Sequence, residues 1–584
     1  MRDGTNDDAE LNWTRRRTLE AAGTVGIASL AGCSGTSSQG SNGNGKLADP
    51  ELTLSEWLVP KDAQYNSFNS KNWPGDASRM LYDAFVRYNA KKHEFEPNLL
   101  TNWSINGKTV TLKTRKQKWH NGDPVTANDL VAQLRLEKHM GLTKFLESAE
   151  VTGDRSVKLT LTNEINPDIF LETFRNKRLT VKKSLFEKHL QEFETASNES
   201  EKATAQGNLS GRTIKEPVGN GPFELKEATS QQFTLTKFKK HPQAGNINFP
   251  RVIYKYFPSN QKRWQALMNN ELDGQAQMFV PKNVRKKFPK SVVRAKIPTN
   301  SGFGVTFQHD HEHFGQRKVR QAIAHVIDRK QVAKNSGGDT KQPVDIPNAV
   351  PANSNKWLGS SASKFNKYQT STQKAAALLK EAGFKKQSGT WVDENGKTLK
   401  APFKVPSGYT DWMTASETIV SQLQSFGIDA KLVSRSTSTF WGKDFAKGDF
   451  VLASGGWSAR LHSHPYFHLK FQLASSAADK VYNYPDTVSV PSMKSGGGSK
   501  KVNVAKEVEN LLTAKPGTQT KQKAEKLAWV VNQTIPVLPI QEKLAQSFLT
   551  KDDWKVPSQN DESMYVYWPT SWLPRTGELS AKTK

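Results

Sequence analysis

The 584-residue sequence has a single cysteine, Cys33. One thiol excludes an intramolecular disulfide framework and a thiolate-rich metal cluster. No run of about eighteen or more apolar residues occurs, which excludes a multi-spanning bundle of membrane helices. Gly-x-Ser-x-Gly, His-Glu-x-x-His and a glycine-rich phosphate loop are all missing. The commonest signatures of hydrolases, zinc proteases and nucleotide enzymes are therefore absent, and no enzyme is expected. Acidic residues are in deficit: 56 Asp+Glu face 83 Lys+Arg, for a formal charge of +27.

What is present is a large polar chain with ample core material. Hydrophobic residues make up 35%, yet 28 Phe, 15 Trp and 12 Tyr are available for packing, so wholesale disorder is excluded. The length calls for two to four domains. The excess of cations is spread along the chain. Its densest patch, Lys282 to Lys296, lacks the interleaved aromatics of single-strand binders, so no nucleic-acid partner is expected.

The N-terminus reads as an address. Thr14-Arg15-Arg16-Arg17-Thr18-Leu19-Glu20 precedes a short Ala/Gly-rich apolar stretch, Ala21 to Ala31, the pattern of a twin-arginine export signal. Leu30-Ala31-Gly32-Cys33 follows as a lipobox, which makes Cys33 the lipid attachment point. Ser34 to Gly45 has no large apolar residue and reads as a flexible tether. Two lipid chains on one cysteine suffice for stable anchoring. The expected location is the outer face of the cytoplasmic membrane, extracellular or periplasmic.

Along the body, hydrophobic periodicity predicts a strand over Glu51–Leu58 and a helix-like run over Ala77–Tyr88. It also predicts a hairpin over Trp103–Thr114 turning at Asn106-Gly107, and a strand over Val157–Leu161. Thr126 and Asp129 are placed as a capping box. Glu192–Arg212 reads as an insertion loop or exposed helix, and Phe223–Phe238 as a strand pair. One amphipathic helix is predicted over Gln316–Lys334, another over Ser371–Ala382 ending at Gly383, and a third over Ser416–Phe426 ending at Gly427. A strand follows over Ile428–Val433. This alternation implies an α/β or α+β chain.

Several segments, in one order, resemble the dipeptide/oligopeptide-binding class of ABC-transporter solute-binding proteins, family five. They are Trp119-His120-Asn121-Gly122-Asp123-Pro124-Val125-Thr126-Ala127-Asn128-Asp129-Leu130, the glycine turn Val218–Phe223, and Val319–Arg329 with its Arg320-Gln321-Ala322. Leu378–Gly383, Gly389–Lys397, Gly456-Trp457 and Ile535–Ile540 complete the series, which spans roughly residues 51–575. The resemblance implies an α/β fold of the periplasmic-binding-protein type II, with two lobes built from three domains around a ligand cleft. The implied segments are 49–90, 218–304 and 534–584 for the first domain, 91–217 for the second and 305–533 for the third, after a signal at 1–32 and a tether at 33–48.

The same resemblance implies a receptor that captures a small solute, a di- or oligopeptide above all, and delivers it to an ABC permease and its ATPases. A monomer is expected, with no cofactor. Trp457 is the implied cleft aromatic, and Tyr82, Ser454 and His462 are further candidate ligand contacts. One position departs from the family: peptide binders carry an Asp that pairs the peptide ammonium where this chain has Arg460. A guanidinium repels an ammonium and suits a carboxylate or phosphate, so an anionic or neutral solute is the expectation there. A surface-anchored polyanion binder is the alternative. His309, His311 and His313 alternate as strand neighbours would, and His462, His464 and His468 follow Trp457; neither set is assigned a metal. His120 is read as a turn residue.

Overall fold

The computed structural model describes residues 50–350, 354–459, 461–493 and 496–582. The export signal, Cys33, the tether and Arg460 lie outside the described residues.

Strand β1 (Glu51–Glu56) opens the chain and buries Leu52 and Leu54. The helix expected over Ala77–Tyr88 shrinks to α1 (Ser78–Leu81), and Val86–Asn89 is a strand, β2. The cause is long-range. Tyr82 turns extended (φ −128°, ψ 135°), and the Asp83 N–H leaves the helix to donate to Asn220 Oδ1 at 2.8 Å. Strands β3 (Leu100–Asn106) and β4 (Thr109–Thr114) form the expected hairpin, with Gly107 at φ +60° in the turn. In β4 burial alternates strictly, with Val110 and Leu112 inward, as a half-buried strand requires.

Helix α2 (Ala127–His139) begins where the Asp129 carboxylate accepts the Thr126 N–H at 2.9 Å. That carboxylate also accepts the Trp119 indole N–H at 3.2 Å and the Lys183 N–H at 2.8 Å. The Trp-to-Asp motif is thus a turn folded around one anion. Strands β5 (Leu146–Gly153) and β6 (Ser156–Leu161) complete an antiparallel sheet of order β3-β4-β6-β5. Helix α3 (Pro167–Glu172) follows. The polar segment 192–212 is helical, in α4 (Lys183–Thr195) and α5 (Glu199–Gly211).

The large sheet takes up β7 (Phe223–Ala228), β8 (Gln232–Lys237), β9 (Arg251–Tyr256), β10 (Gly274–Gln275) and β11 (Val292–Phe307). The helix expected over Gln316–Lys334 is two, α6 (Arg317–Val326) and α7 (Arg329–Ser336). Asp328 breaks it by capping α7, its carboxylate accepting the Gln331 N–H at 3.0 Å. Then come β12 (Lys400–Pro406), α8 (Thr410–Phe426), β13 (Asp429–Arg435), β14 (Leu452–Gly456), α9 (Pro465–Leu473), α10 (Thr518–Thr534), β15 (Val537–Thr550) and α11 (Pro569–Thr576). Helix α8 starts six residues before the expected Ser416 and ends as expected at Gly427, φ +100°.

Among the described residues the large sheet has eleven strands, ordered β13-β12-β14-β11-β15-β10-β1-β9-β8-β7, with Lys341–Pro343 paired on β15. The long antiparallel pair β11 and β15 links its two halves, from Val292↔Thr550 to Thr306↔Val537. Nearly all of β15 is buried, because helices and loops cover both faces at this junction. One core lies between β14, α6 and α8, and another under β1, β8 and β9.

Candidate ligand-binding seam

Strand β14 delivers Gly455-Gly456 and then Trp457 to the middle of the molecule. Close approach explains the small residues: a Cβ on Gly304 of the neighbouring β11 would stand 2.9 Å from the Leu538 carbonyl oxygen and 3.2 Å from Trp457 Cβ. The Trp457 ring is fully enclosed, and its N–H donates to the Gln541 carbonyl at 3.0 Å. Gln472 Nε2 donates to the Trp457 carbonyl at 2.7 Å. Ser454 is buried opposite Val305, and its hydroxyl has no partner among the described residues.

The turn after Trp457 is held by a bulge in β11. Pro298 pairs with Leu544 and Gly302 with Glu542, so three residues, 299–301, oppose one. Asn300 sits in the left-handed region at φ +54°, where Asn is tolerated. Its N–H donates to Glu542 Oε1 at 2.7 Å. Four bonds then join bulge to turn. Leu461 N–H donates to the Thr299 carbonyl at 2.9 Å, and Asn300 Nδ2 to the His462 carbonyl at 2.6 Å. Ser301 Oγ donates to the Ser458 carbonyl at 3.1 Å, and Ser458 Oγ to the Asn300 carbonyl at 2.6 Å. Burial pushes the Glu542 carboxyl up to about 7, since the charged form is disfavoured away from water.

The end of α3 meets the same turn from the other side. Glu172 accepts the N–H groups of Ser463 at 2.9 Å and His464 at 3.2 Å. Its second oxygen lies 3.2 Å from His462 Nδ1 and 2.7 Å from Arg175 Nε. Arg175 donates to the Leu461 carbonyl and, at 2.8 Å, to Ser463 Oγ, with its guanidinium 3.6 Å from the Tyr88 ring centroid. Burial pushes the Glu172 carboxyl up, but Arg175 and the His462 and Ser463 bonds outweigh it and hold the group well below the usual carboxylate range. Tyr567 adds a third support, donating its hydroxyl to the Pro298 carbonyl at 3.1 Å.

Of the expected contacts, Ser454, Trp457 and His462 share this corner, and His462 stacks on Phe467 with ring centroids 3.9 Å apart. Tyr82 sits elsewhere, in the core under β1, stacked on Trp73 at 5.9 Å. Glu172, Arg175, Asn300, Glu542 and Tyr567 were not singled out from the sequence. An acid and a base three residues apart, such as Glu172 and Arg175, look like any solvated helix pair.

The histidines are structural in their contacts. His464 caps α9, its Nδ1 accepting the Tyr466 N–H at 3.1 Å. Burial lowers His464 and His468 to about 3 and His120 to about 4. His120 joins the two glycine-bearing motifs: its N–H donates to the Gly219 carbonyl at 2.7 Å and its Nε2 lies 3.0 Å from the Gly221 carbonyl. His309, His311 and His313 lie past the end of β11 at Phe307, so they do not line one strand face. His309 turns to the Pro536 carbonyl at 3.0 Å and His313 to Asp393 at 3.1 Å. Among the described residues no cluster of three His, Cys, Asp or Glu is arranged to hold a metal ion.

Comparison with known proteins agrees with this architecture. The family model of bacterial extracellular solute-binding proteins, family 5 middle, matches residues 94–479. The oligopeptide-binding protein AppA of Bacillus subtilis is 24% identical over 485 residues, covering 78% of this chain and 82% of that protein. The nickel-binding periplasmic protein of Escherichia coli is 23% identical over 449 residues, covering 69% of this chain and 76% of that one. A mannohexaose-bound periplasmic oligopeptide-binding protein of Thermotoga maritima superposes with a TM-score of 0.70 at 18% identity, covering 92% of this chain and 99% of its own. The fold is that of periplasmic binding proteins, and the chain belongs to the bacterial extracellular solute-binding proteins of family 5.

Proposed function

We propose that the chain is a lipid-anchored receptor that captures a small solute, in the first instance a di- or oligopeptide, and delivers it as a monomer to the permease and ATPase of an ABC importer. Family membership supports solute capture, and the oligopeptide-binding name of AppA supports a peptide. The lipobox at Cys33 and the arginines at 15–17 support export and anchoring on the outer face of the membrane. The three-domain division, with segments 49–90, 218–304 and 534–584, then 91–217, then 305–533, belongs to the same reading.

The observation that carries the reading is the turn Ser458–His464. It bonds to the β11 bulge on one side and to Glu172 and Arg175 on the other. A solute that adds contacts to this turn favours the arrangement in which both sides engage it, because a ligand shifts an equilibrium by its differential affinity for the two states. Arg460, next to Leu461, is proposed to face the solute and to favour an anionic or neutral one.

Thermal unfolding of the purified protein against a panel of peptides, oligosaccharides and nickel tests the proposal. A saturable rise in midpoint with a peptide supports it. Binding confined to heparin or DNA, with a steep salt dependence, would replace it by a polyanion-binding role.

A further inference from the structure

Behind the seam, guanidinium groups outnumber carboxylates. Arg79, Arg87, Arg115, Arg178 and Arg575 form one cluster in each other's fields, with Asp76, Asp83 and, beside Arg79, Glu56 as the acids acting on it. Asp83 is saturated: it accepts from Arg115 and Arg575 and lies 3.1 Å from His241 Nε2. Asp76 stands 3.8 Å from Arg79. Arg178 has Ser78 Oγ at 3.3 Å and, among the described residues, no ion-paired carboxylate, Asp76 acting on it only through its field.

The Arg87 side chain has no hydrogen bond and no ion pair among the described residues, although the residue is only 7% exposed. Its Nε is sealed from solvent without an acceptor, and its guanidinium lies 4.6 Å from the Trp572 ring centroid. Burial, then the like charges of Arg575, Arg79 and Arg178, push Arg87 well below its ordinary value, and Asp83 opposes them weakly. Burial lowers Arg178 to about 9. A buried guanidinium without a counter-charge is among the costliest arrangements in a fold, and like neighbours make it worse.

The cluster borders the seam. Tyr88, next to Arg87 on β2, carries Arg175 on its ring. Trp568, next to Tyr567, lies 3.3 Å under Arg79. Arg79, Arg178 and Trp568 keep partial exposure, so the cluster has an open side.

We propose that Arg87 and Arg178 form an anion subsite of the ligand cleft, where a carboxylate of the captured solute supplies the charge that the fold leaves out. The proposal rests on the solute-capture reading above and names its substrate class. A guanidinium presents parallel N–H donors that match a carboxylate's two oxygens.

Calorimetry on the purified protein with trialanine, trialanine amide, succinate and inorganic phosphate tests it, in the parent and in Arg87→Met and Arg87→Lys. Trialanine or succinate is expected to bind, and the amide at least about tenfold more weakly, the scale of one charged hydrogen-bond pair. Arg87→Met should erase that discrimination, Arg87→Lys should keep part of it, and the solute-free Arg87→Met protein should melt no lower than the parent. Equal binding of acid and amide, or discrimination that survives Arg87→Met, overturns the subsite and leaves solute capture standing. Binding of phosphate alone overturns the carboxylate assignment. A solute-free Arg87→Met protein that melts several degrees lower assigns the guanidinium to the fold and overturns the proposal. Silence of all four probes, together with silence of the wider panel, overturns subsite and solute capture alike.

Discussion

Asn300 donates its side-chain amide to the His462 carbonyl at 2.6 Å, and Ser458, in the same turn, donates its hydroxyl to the Asn300 carbonyl at 2.6 Å. Asn300 thus makes two of the four bonds by which the strand joining the two halves of the sheet grips the turn after Trp457, Thr299 and Ser301 making the others. Asn300→Gly keeps the left-handed backbone and removes the amide. Loss of one buried hydrogen bond should lower stability by about 1–2 kcal/mol. Solute affinity should fall by more than stability does. Equal losses in calorimetry and in denaturant unfolding would show that the turn serves the fold alone.

Arg175 and Glu172 are 2% and 1% exposed and 2.7 Å apart. Arg175→Ala leaves a buried carboxylate facing His462, the Ser463 hydroxyl and backbone amides, with no guanidinium. Breaking such a pair costs about 3–5 kcal/mol. Urea unfolding should show a loss of that size, and Glu172→Gln with Arg175→Met together should cost less than Arg175→Ala alone.

Glu542 sets a pH signature. Its folded value near 7 lies above the ordinary 4.5, so the native protein binds the proton first and gains stability as pH falls from 7 to 4.5. Glu56 and Asp273, raised by burial to about 7 and about 6, act with it. The buried His120, His464 and His468 act against it: their folded values near 4, 3 and 3 lie below 6.5, so their contribution is full above pH 6.5 and lost on acidification. The midpoint of Glu542→Gln minus that of the parent should thus be larger at pH 8 than at pH 5. A constant difference across that range would show that Glu542 does not titrate there.

Gly302 packs directly on Gln541, and an added Cβ would clash with that residue's carbonyl oxygen. Backbone must move to admit it. Gly302→Ala should destabilise by about 1–3 kcal/mol, the range for overpacking, and weaken the solute by displacing the adjacent bulge. Gly245→Ala meets nothing within 4 Å and serves as the control with no such effect.

Anchoring is tested at residue Cys33. Cys33→Ser should move the protein from the membrane fraction to the soluble one, and Arg16→Lys with Arg17→Lys should retain it inside the cell. Membrane association that survives both changes would remove the lipoprotein reading.

Local chemistry was legible wherever it is complete within a few residues. The Asn106-Gly107 turn, the Asp129 cap, the apolar face Val319–Val326 and the helix stops at Gly383 and Gly427 each follow from a side chain acting on its own backbone neighbourhood. Family motifs added the type II architecture, because they mark tight places such as Gly219 and Gly221 packed on Met80, Leu81 and His120. The helix over Ala77–Tyr88 failed because its rival is remote: Asn220 takes the Asp83 N–H across 137 positions of sequence. A propensity of a few tenths of a kcal/mol per residue yields to a buried, charge-bearing network.

By itself the sequence determined the kind of chain this is: an exported-looking, basic, α/β solute-binding protein with Gly456-Trp457 at its centre. Only the tertiary structure decided what surrounds that centre. Glu172, Arg175 and Asn300 meet one turn, with Glu542 behind Asn300, from segments up to 370 positions apart, and the Arg87 side chain stands among like charges with no ion-pair partner among the described residues. Desolvation and Coulomb interaction depend on distance in space and not on spacing along the chain, so which charges are paired and which are left waiting appears only once the chain has folded.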